Sequence, residues 1–410
     1  LHPLLLVEGY QAALDVTLSV LDDRAVKISP LDTERLTLVA KTAMTGTSAE
    51  SESGHLAKCI VQAAQTVAGE LEGHLHVRTQ DVRMTKRGVG SIADTALVDG
   101  LILERKFDLD RMPRNLPKGT IAVLSCPISM EQSSRESEIE ISSPDQWVAF
   151  MDAEKKLLEE KARKILSTGA SIVVCAEDID SRILHKFVDS GLFALGGLER
   201  SGAEDVAKAS GAQMIDHIDD LASDSLGHFE AMNVEIFEGD DSRRERLHLS
   251  FGPNAGLATV DVGGGDGVAS EEVIRGLYDA LCSVTSAMET GEVLLGGGSL
   301  HVAASLSVKD AAEQHSGRER LAMDAFARAL EAIPSTLISN SGNDQLDRLL
   351  ELRSQHRQGN SNYGVSEAGL SEAIDQAWSS AETISHALQA ACETACGLLR
   401  VDQVISARGD

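Results

Sequence analysis

A carboxylate set one helix upstream of three consecutive glycines is a combination that phosphoryl chemistry can use. In "YDALCSVTSAMETGEVLLGGGS", residues 278–299, Asp279 precedes an apolar run that ends in Gly296, Gly297 and Gly298. A carboxylate beside a phosphoryl group can orient a water molecule or a metal ion for hydrolysis. Glycine amides at a helix N-terminus can meet phosphate or ribose, because no side chain blocks the approach and the helix end favours an anion. Against this stands a plain alternative, in which Asp279 is a solvated helix carboxylate and the triplet a permissive turn. A second cluster, "VDVGGGDGVASEE" at 260–272, lacks the GK[ST] ending of a Walker loop. It reads as a turn at a domain hinge or as a phosphate cradle, and the latter leaves open a stand-alone phosphotransfer enzyme.

The elements that must position these residues follow from periodicity. "HPLLLVEGYQAALDVTLSVLDD" opens with a helix-start signal, and Leu6, Tyr10, Ala13, Val16, Leu18 and Leu21 approximate one helical face. Residues 33–72 carry two helical patterns separated by "TGTSAESESG", and 74–93 turns strand-like before the glycine turn "RGVGS". From about 97 to 250 short apolar strands alternate with helices: "GTIAVLSCPI", a helix at 144–166, "ASIVVCA", a helix at 180–190, "LFALGG", a helix at 203–210, and "QMID". That alternation describes a parallel α/β sheet. The helix at 144–166 starts with Ser143 as N-cap and Pro144 at the first helical position, and Trp147, Phe150, Met151, Leu157, Leu158 and Ile165 lie near one face. The polar stretch "MEQSSRESEIEI" before it is expected to project from the sheet. From 270 onward helices are expected at 270–290, 300–331, 344–356 and 367–398, ahead of the apolar end "LLRVDQVI".

Composition bounds the function. At 410 residues the chain is long enough for two or three domains, and its 42% hydrophobic content suits soluble ones. No apolar run is read as reaching the ~18 residues of a membrane span, and nothing at the N-terminus reads as a signal peptide, so the expectation is a cytoplasmic protein with no membrane partner. The net charge of −27, from 64 acidic against 37 basic residues spread along the chain, excludes nucleic acid as a partner. Such a surface repels itself in dilute buffer and is screened in molar salt, where the Debye length shrinks to ~3 Å; with lysine scarce beside arginine, a salt-accumulating cytoplasm is expected. The six cysteines show no CxxC spacing and are expected to be buried, reduced thiols. His74 and His76 can share one side of a strand, yet without a third ligand they read as structural or solvated, and no metal site is expected.

Collinear motifs carry the reading further. "VEGYQAALD", "TAMTGTSAE", "GSIADTALVDGLIL", "RMPRNLPKGTIAVLSCPI", "ISSPDQWVAFMDAEKKLL", "TGASIVVCAEDID", "YDALCSV", "GGGS", "FARALEAIPSTLISNSG" and "LLRVDQVI" resemble, in order, successive segments of group II chaperonins, the thermosome and its eukaryotic ring relatives. The resemblance covers almost the whole chain. It implies a multidomain α/β fold: a mostly α-helical equatorial domain (1–30 and 291–410, incomplete), a small α+β intermediate domain (31–96 and 253–290), and an α/β apical domain at 97–252 whose segment at about 129–166 is a helical protrusion serving as a built-in lid. It further implies back-to-back double rings of identical or homologous subunits that enclose unfolded client proteins when ATP, bound with Mg²⁺, is turned over.

Residue by residue, Asp279 resembles the family's catalytic aspartate, and Gly296, Gly297 and Gly298 its nucleotide-contacting turn. Gly46 in "TAMTGTSAE", Asn340 and Gly342 in "ISNSG" and Gly364 in "NYGVSEAG" join the nucleotide contacts by the same resemblance, and Trp147, Phe150 and Met151 the client-binding surface. Three departures stand out. The family's GDGT phosphate loop and the loop that helps bind Mg²⁺ would lie upstream of "HPLLLVEGY"; the start on Leu1 reads as a cut, and the chain alone is expected to lack ATPase activity. Thr47 stands where many members carry a lysine that senses the γ-phosphate, and Ser366 where an aspartate would bind ribose. These departures leave a second function open, a degenerate, nucleotide-independent scaffold or substrate-binding module.

Overall fold

The computed structural model describes residues 3–104, 111–129, 144–238, 243–252, 255–265 and 267–401. Contacts divide the chain into two compact units, one formed by Leu1–Thr79, Gly88–Asp94 and Gly263–Asp410 and the other by Gln80–Arg87 and Thr95–Val262.

The first unit is mostly helical. Its opening helix Pro3–Arg24 buries Val7, Gly9, Ala13, Thr17 and Leu21, the last four spaced four residues apart along one face. Helices Ser299–Gln314, Glu319–Leu330 and Ala381–Leu399 cover that face, with Ala13, Ala304, Val308 and Met323 at one centre and Val7, Cys392 and Cys396 at another. By length and composition Pro3–Arg24 is apolar enough to cross a membrane, which corrects the reading that no run approaches that length; here its apolar face is a helix-packing surface. A second set, Thr33–Met44, Ser53–Val67 and Val268–Thr290, packs together, and a three-stranded sheet orders Val26–Lys27, Glu292–Leu295 and Trp378–Ser380. Two short hairpins complete the unit, Ala68–Leu71 with His74–Val77 and Tyr363–Val365 with Ser371–Ala373.

The second unit is a helix-covered mixed sheet of seven strands. Along it run Leu101–Glu104, Arg243–Ser250, Gly227–Glu238, Asn115–Leu124, Ile172–Cys175 and Phe193–Leu195, with Met214–Ile215 also pairing with the end of Asn115–Leu124. The strands at 115–124, 172–175, 193–195 and 214–215 are parallel, as the strand–helix alternation predicts, and all four residues of Ile172–Cys175 are buried. Helices Pro144–Ser167, Ser181–Asp189 and Arg200–Ser210 supply the crossovers. A smaller sheet places Ala258–Val262 between Val82–Lys86 and Ala96–Asp99.

Two helical expectations fail. Residues 367–398 are helical only from Ala381, because Trp378–Ser380 pairs antiparallel with Val293–Leu295 and Ser371–Ala373 closes a hairpin. The stretch 300–331 breaks at Gln314 and restarts at Glu319, across the glycine of "HSGR". Ser143 as N-cap, the whole segment "MEQSSRESEIEI", Asp266 and the end beyond Val401 lie outside the described residues.

Candidate nucleotide site

Helix Val268–Thr290 is the spine of the candidate site. Val273, Leu277, Ala280, Leu281, Val284 and Met288 give it a buried apolar face, and Gly276 lies within that face. A Cβ at position 276 would stand 2.9 Å from Thr47 Oγ1 and 3.5 Å from the Ala49 side chain. The missing side chain is what lets the loop after Thr33–Met44 lie against the helix. Thr47 donates its hydroxyl to the Met44 carbonyl at 2.7 Å. Gly46, at φ +78°, donates its N–H to Glu50 Oε2 at 3.0 Å and has open space beside its Cα. Asp279 is exposed three residues along the spine from Gly276. One turn further, burial pushes the Cys282 thiol up from its usual range and the Asp279 carboxylate adds to that shift, while a hydrogen bond with Tyr278 opposes it.

The glycine turn returns to the same place. Gly291, at φ +68°, caps the spine, and the strand Glu292–Leu295 runs back beside it: Ser380, paired with Val293, stands 2.7 Å from the hydroxyl of Ser286, which also donates to Glu382 at 2.8 Å. Helix 279–290 rises about 16 Å at 1.5 Å per residue, and the strand recovers about 13 Å by Gly296. Gly296 donates its N–H to the Ala377 carbonyl at 2.8 Å, and the neighbouring Trp378 N–H donates to Thr42 Oγ1 at 3.1 Å, one helical turn before Gly46. Gly46, Asp279 and the triplet therefore share one neighbourhood.

Backbone meets backbone beneath the triplet. Gly297 sits at φ +59°, its carbonyl accepts from the Val365 N–H at 2.8 Å, and a Cβ there would be 2.8 Å from the Val365 carbonyl oxygen. A Cβ on Gly364 would stand 3.1 Å from the Gly297 carbonyl oxygen and 3.3 Å from that of Gly296. Side chains at 297 or 364 would force the turn and the strand apart. Gly298 caps Ser299–Gln314 over Pro334. Asn340, exposed at the end of Ala332–Asn340, and Gly342 reach the group through the hairpin: Asn343 Nδ2 donates to the Ala368 carbonyl at 2.7 Å, and Ser366 closes that turn, its N–H donating to the Leu370 carbonyl at 2.9 Å and its Oγ accepting from the Leu370 N–H at 3.3 Å.

Beneath this platform lies buried Glu331, 4% exposed, which accepts from Ser305 at 2.8 Å, Lys309 at 2.7 Å and the Arg353 guanidinium. Burial pushes its pKa up, but Arg353, Lys309 and Ser305 outweigh burial and hold it below the usual glutamate range. Sequence reading missed this cluster, and it missed Gly276, Thr42 and the Ser286 pair. The one signal was an isolated glycine inside a helical pattern, which marks a close approach.

In the second unit Trp147, Phe150 and Met151 stand 55%, 38% and 40% exposed on Pro144–Ser167, while Leu158 and Ile165 further along are buried in the sheet core. Leu157 is exposed, so the expected single face divides into an outward and an inward part. A groove of about 310 Å³ runs between this helix and Ser181–Asp189, lined by Met151, Asp152, Lys155, Leu158, Arg182 and Ile183 among others. His76 pairs with Glu289 at 2.8 Å rather than with His74, and among the described residues no group of three His, Cys, Asp or Glu could hold a metal.

The sequence profile of the TCP-1/cpn60 chaperonin family matches residues 1–409. The chain belongs to that family. A thermosome subunit of Methanopyrus kandleri is 33% identical over 411 residues, and thermosome subunit alpha of Archaeoglobus fulgidus 34% identical over 419; each match covers 100% of this chain and 75% of the relative. The open-state monomer of a group II chaperonin from Methanococcoides burtonii superimposes with a TM-score of 0.69 at 29% identity, covering 98% of this chain and 94% of that one. The multidomain α/β chaperonin fold is thereby established, and the role is that of a chaperonin subunit.

Proposed function

We propose that this chaperonin chain binds ATP at the glycine turn, assembles with identical or homologous subunits into a double ring in the cytoplasm, and encloses unfolded proteins under a lid that includes Pro144–Ser167. In this reading the first unit holds the equatorial domain together with 31–79, 88–94 and 263–290 of the intermediate domain, and the second holds the apical domain with the rest of the intermediate one. One observation carries the nucleotide reading: the loop of Gly46 and Thr47 lies against the helix that carries the exposed Asp279 carboxylate, and the Gly296 end of the next strand is tied through Ala377 and Trp378 to Thr42, one turn before Gly46. The residues present suit such a ligand. Gly296 and Gly297 are half-exposed, the space beside Gly46 and Gly342 is open, and Asp279 would face a cation held chiefly by phosphate oxygens, the mode in which Mg²⁺ usually binds. ATP would supply the phosphoryl group, and this chain would supply orientation: glycine backbone at the turn, and at Asp279 a carboxylate able to align water.

Calorimetric titration with ATP and Mg²⁺ in molar KCl tests this. Gly297→Val should weaken binding at least about tenfold by driving the turn off the Val365 strand, and Asp279→Ala should leave binding within about threefold, since a water-orienting group acts mainly in the transition state. Equal binding by Gly297→Val and its parent would remove the site from the triplet.

A specific observation favours a second reading, the nucleotide-independent module. The Thr47 hydroxyl is spent on Met44 and Ser366 on its own hairpin, so neither replaces the lysine or aspartate that the family resemblance implies there. Suppression of client aggregation to the same extent with and without ATP would support it.

A further inference from the structure

We propose that His356 is the positioning residue of the glycine turn, a neutral imidazole that, with Arg24, clamps the strand on which Gly296 and Gly297 rest. The inference rests on the nucleotide reading of that turn.

The helix Gln345–Arg357 ends one residue after His356, and the chain reverses through Gly359 into Tyr363–Val365. The ring Nε2 lies 2.9 Å from the Tyr363 carbonyl oxygen. A carbonyl only accepts, so Nε2 carries the proton and Nδ1 presents its lone pair. Arg24 Nη2 lies 3.4 Å from that Nδ1, and Arg24 Nη1 donates to the Ser361 carbonyl at 2.9 Å. Ser299, the first residue after the triplet, donates to the same carbonyl at 3.2 Å. At the other end of the short strand the Val365 N–H holds the Gly297 carbonyl at 2.8 Å. Arg24 and His356 thus fix Ser361 and Tyr363, those fix Gly364, and Gly364 leaves no slack beneath Gly296 and Gly297. Three elements distant in sequence are locked by hydrogen bonds that an aliphatic residue at 356 could not make.

Only the neutral ring can serve. A protonated imidazole has no acceptor and would place a second cation against the Arg24 guanidinium in a half-buried setting. Burial first, and then Arg24, hold the His356 pKa down at about 4, against which the Tyr363 carbonyl bond acts. On the elements packed around it, Arg353 and Arg357 of its own helix are turned to Glu331 and to Asp310, the latter at 3.8 Å. Ser371–Ala373 brings an exposed Glu372 opposite Gly364, and Ser299–Gln314 brings His301, itself held below its usual range by burial. Arg24 is the charged group at hydrogen-bonding distance from the ring.

Two readouts on the full chain test this, one without nucleotide. Amide hydrogen exchange at Val365 should speed up at least about tenfold in His356→Ala, and the Kd for ATP with Mg²⁺ should rise by about the same factor, the size expected for one lost hydrogen bond. His356→Gln, whose amide offers one donor and one acceptor, should restore both to within about threefold. Arg24→Gln should loosen Val365 as well, which keeps the test alive if His356→Ala does not fold. In the parent, Val365 exchange corrected for its intrinsic rate should rise as pH falls from 6.5 towards about 4, and His356→Gln should flatten that profile. Val365 exchange unchanged in His356→Ala and Arg24→Gln overturns the clamp. A parent that binds no ATP while Val365 still depends on His356 overturns the nucleotide reading and upholds the clamp.

Discussion

Glu331 stays ionised while almost wholly buried, and that makes acid the solvent condition that separates its neighbours. Its folded pKa lies below the ordinary glutamate value of 4.5, so its contribution is complete above that value and is lost as pH falls through the folded one. His356, lowered from 6.5 to about 4, contributes fully above 6.5 and loses its contribution as pH falls between those two values. Urea titrations from pH 8 downward should therefore show stability declining first below pH 6.5 and again below 4.5, with Glu331→Gln making the second decline shallower and Asp261, which burial pushes up but Arg246 and Arg87 hold below its usual range, supplying part of what remains. At neutral pH the same substitution should cost about 3 kcal/mol, because Lys309 and Arg353 lose their counter-ion; a midpoint unchanged from the parent would show that the two cations find other partners. Gly276→Val should cost about 2 kcal/mol by overpacking against Thr47 and Ala49, whereas Asp279→Ala, at an exposed position, should stay within about 0.5 kcal/mol.

At the scale of elements, helix Pro144–Ser167 separates its roles along its length. Trp147→Ser with Phe150→Ser should leave the melting temperature almost unchanged and halve or abolish the suppression of client aggregation, while Leu158→Ser should lower the melting temperature by burying an unmatched hydroxyl. Aggregation suppression equal to the parent in the double variant would move client binding elsewhere. The parallel strands and their crossover helices were legible because each is a short apolar run with local punctuation. Trp378–Ser380 was not, since nothing local marks "AWSS" as a strand and its pairing partner, Val293–Leu295, is far away in sequence. The site divides in the same way. Asp279 and the triplet could be read from residue type, but the contacts that gather them, Thr47 on Gly276 and Trp378 on Thr42, join segments that carry no shared pattern.

For the whole molecule, charge and buried ion pairs set the conditions for folding. With 64 acidic and 37 basic residues, circular dichroism should show cooperative structure gained between ~0.1 M and molar KCl, as screening at a Debye length of ~3 Å removes surface repulsion. A full native spectrum at the lower concentration would discard the salt-adapted reading. In the second unit Arg246 and Asp261, each 1% exposed, are hydrogen-bonded to one another, and Arg87 and Thr85 add bonds to Asp261 at 2.8 and 3.1 Å. A fragment 80–262 should therefore melt well above a fragment 97–252, which keeps Arg246 and Glu104 but loses the buried Asp261 carboxylate; equal melting points would show that the smaller sheet is dispensable.

All six cysteines are free. Burial pushes the Cys175 thiol, at the end of a central strand, up to about 12, and burial with the neighbouring Cys396 raises Cys392 to about 11. Thiols so reluctant to ionise and so enclosed react with an alkylating reagent only when the structure around them opens. The wild-type chain therefore carries its own clocks: the modification rate at Cys175 times the opening of the sheet, and that at Cys392 and Cys396 times the parting of the first and last helices. Mass spectrometry of one labelling course would read both without an engineered probe.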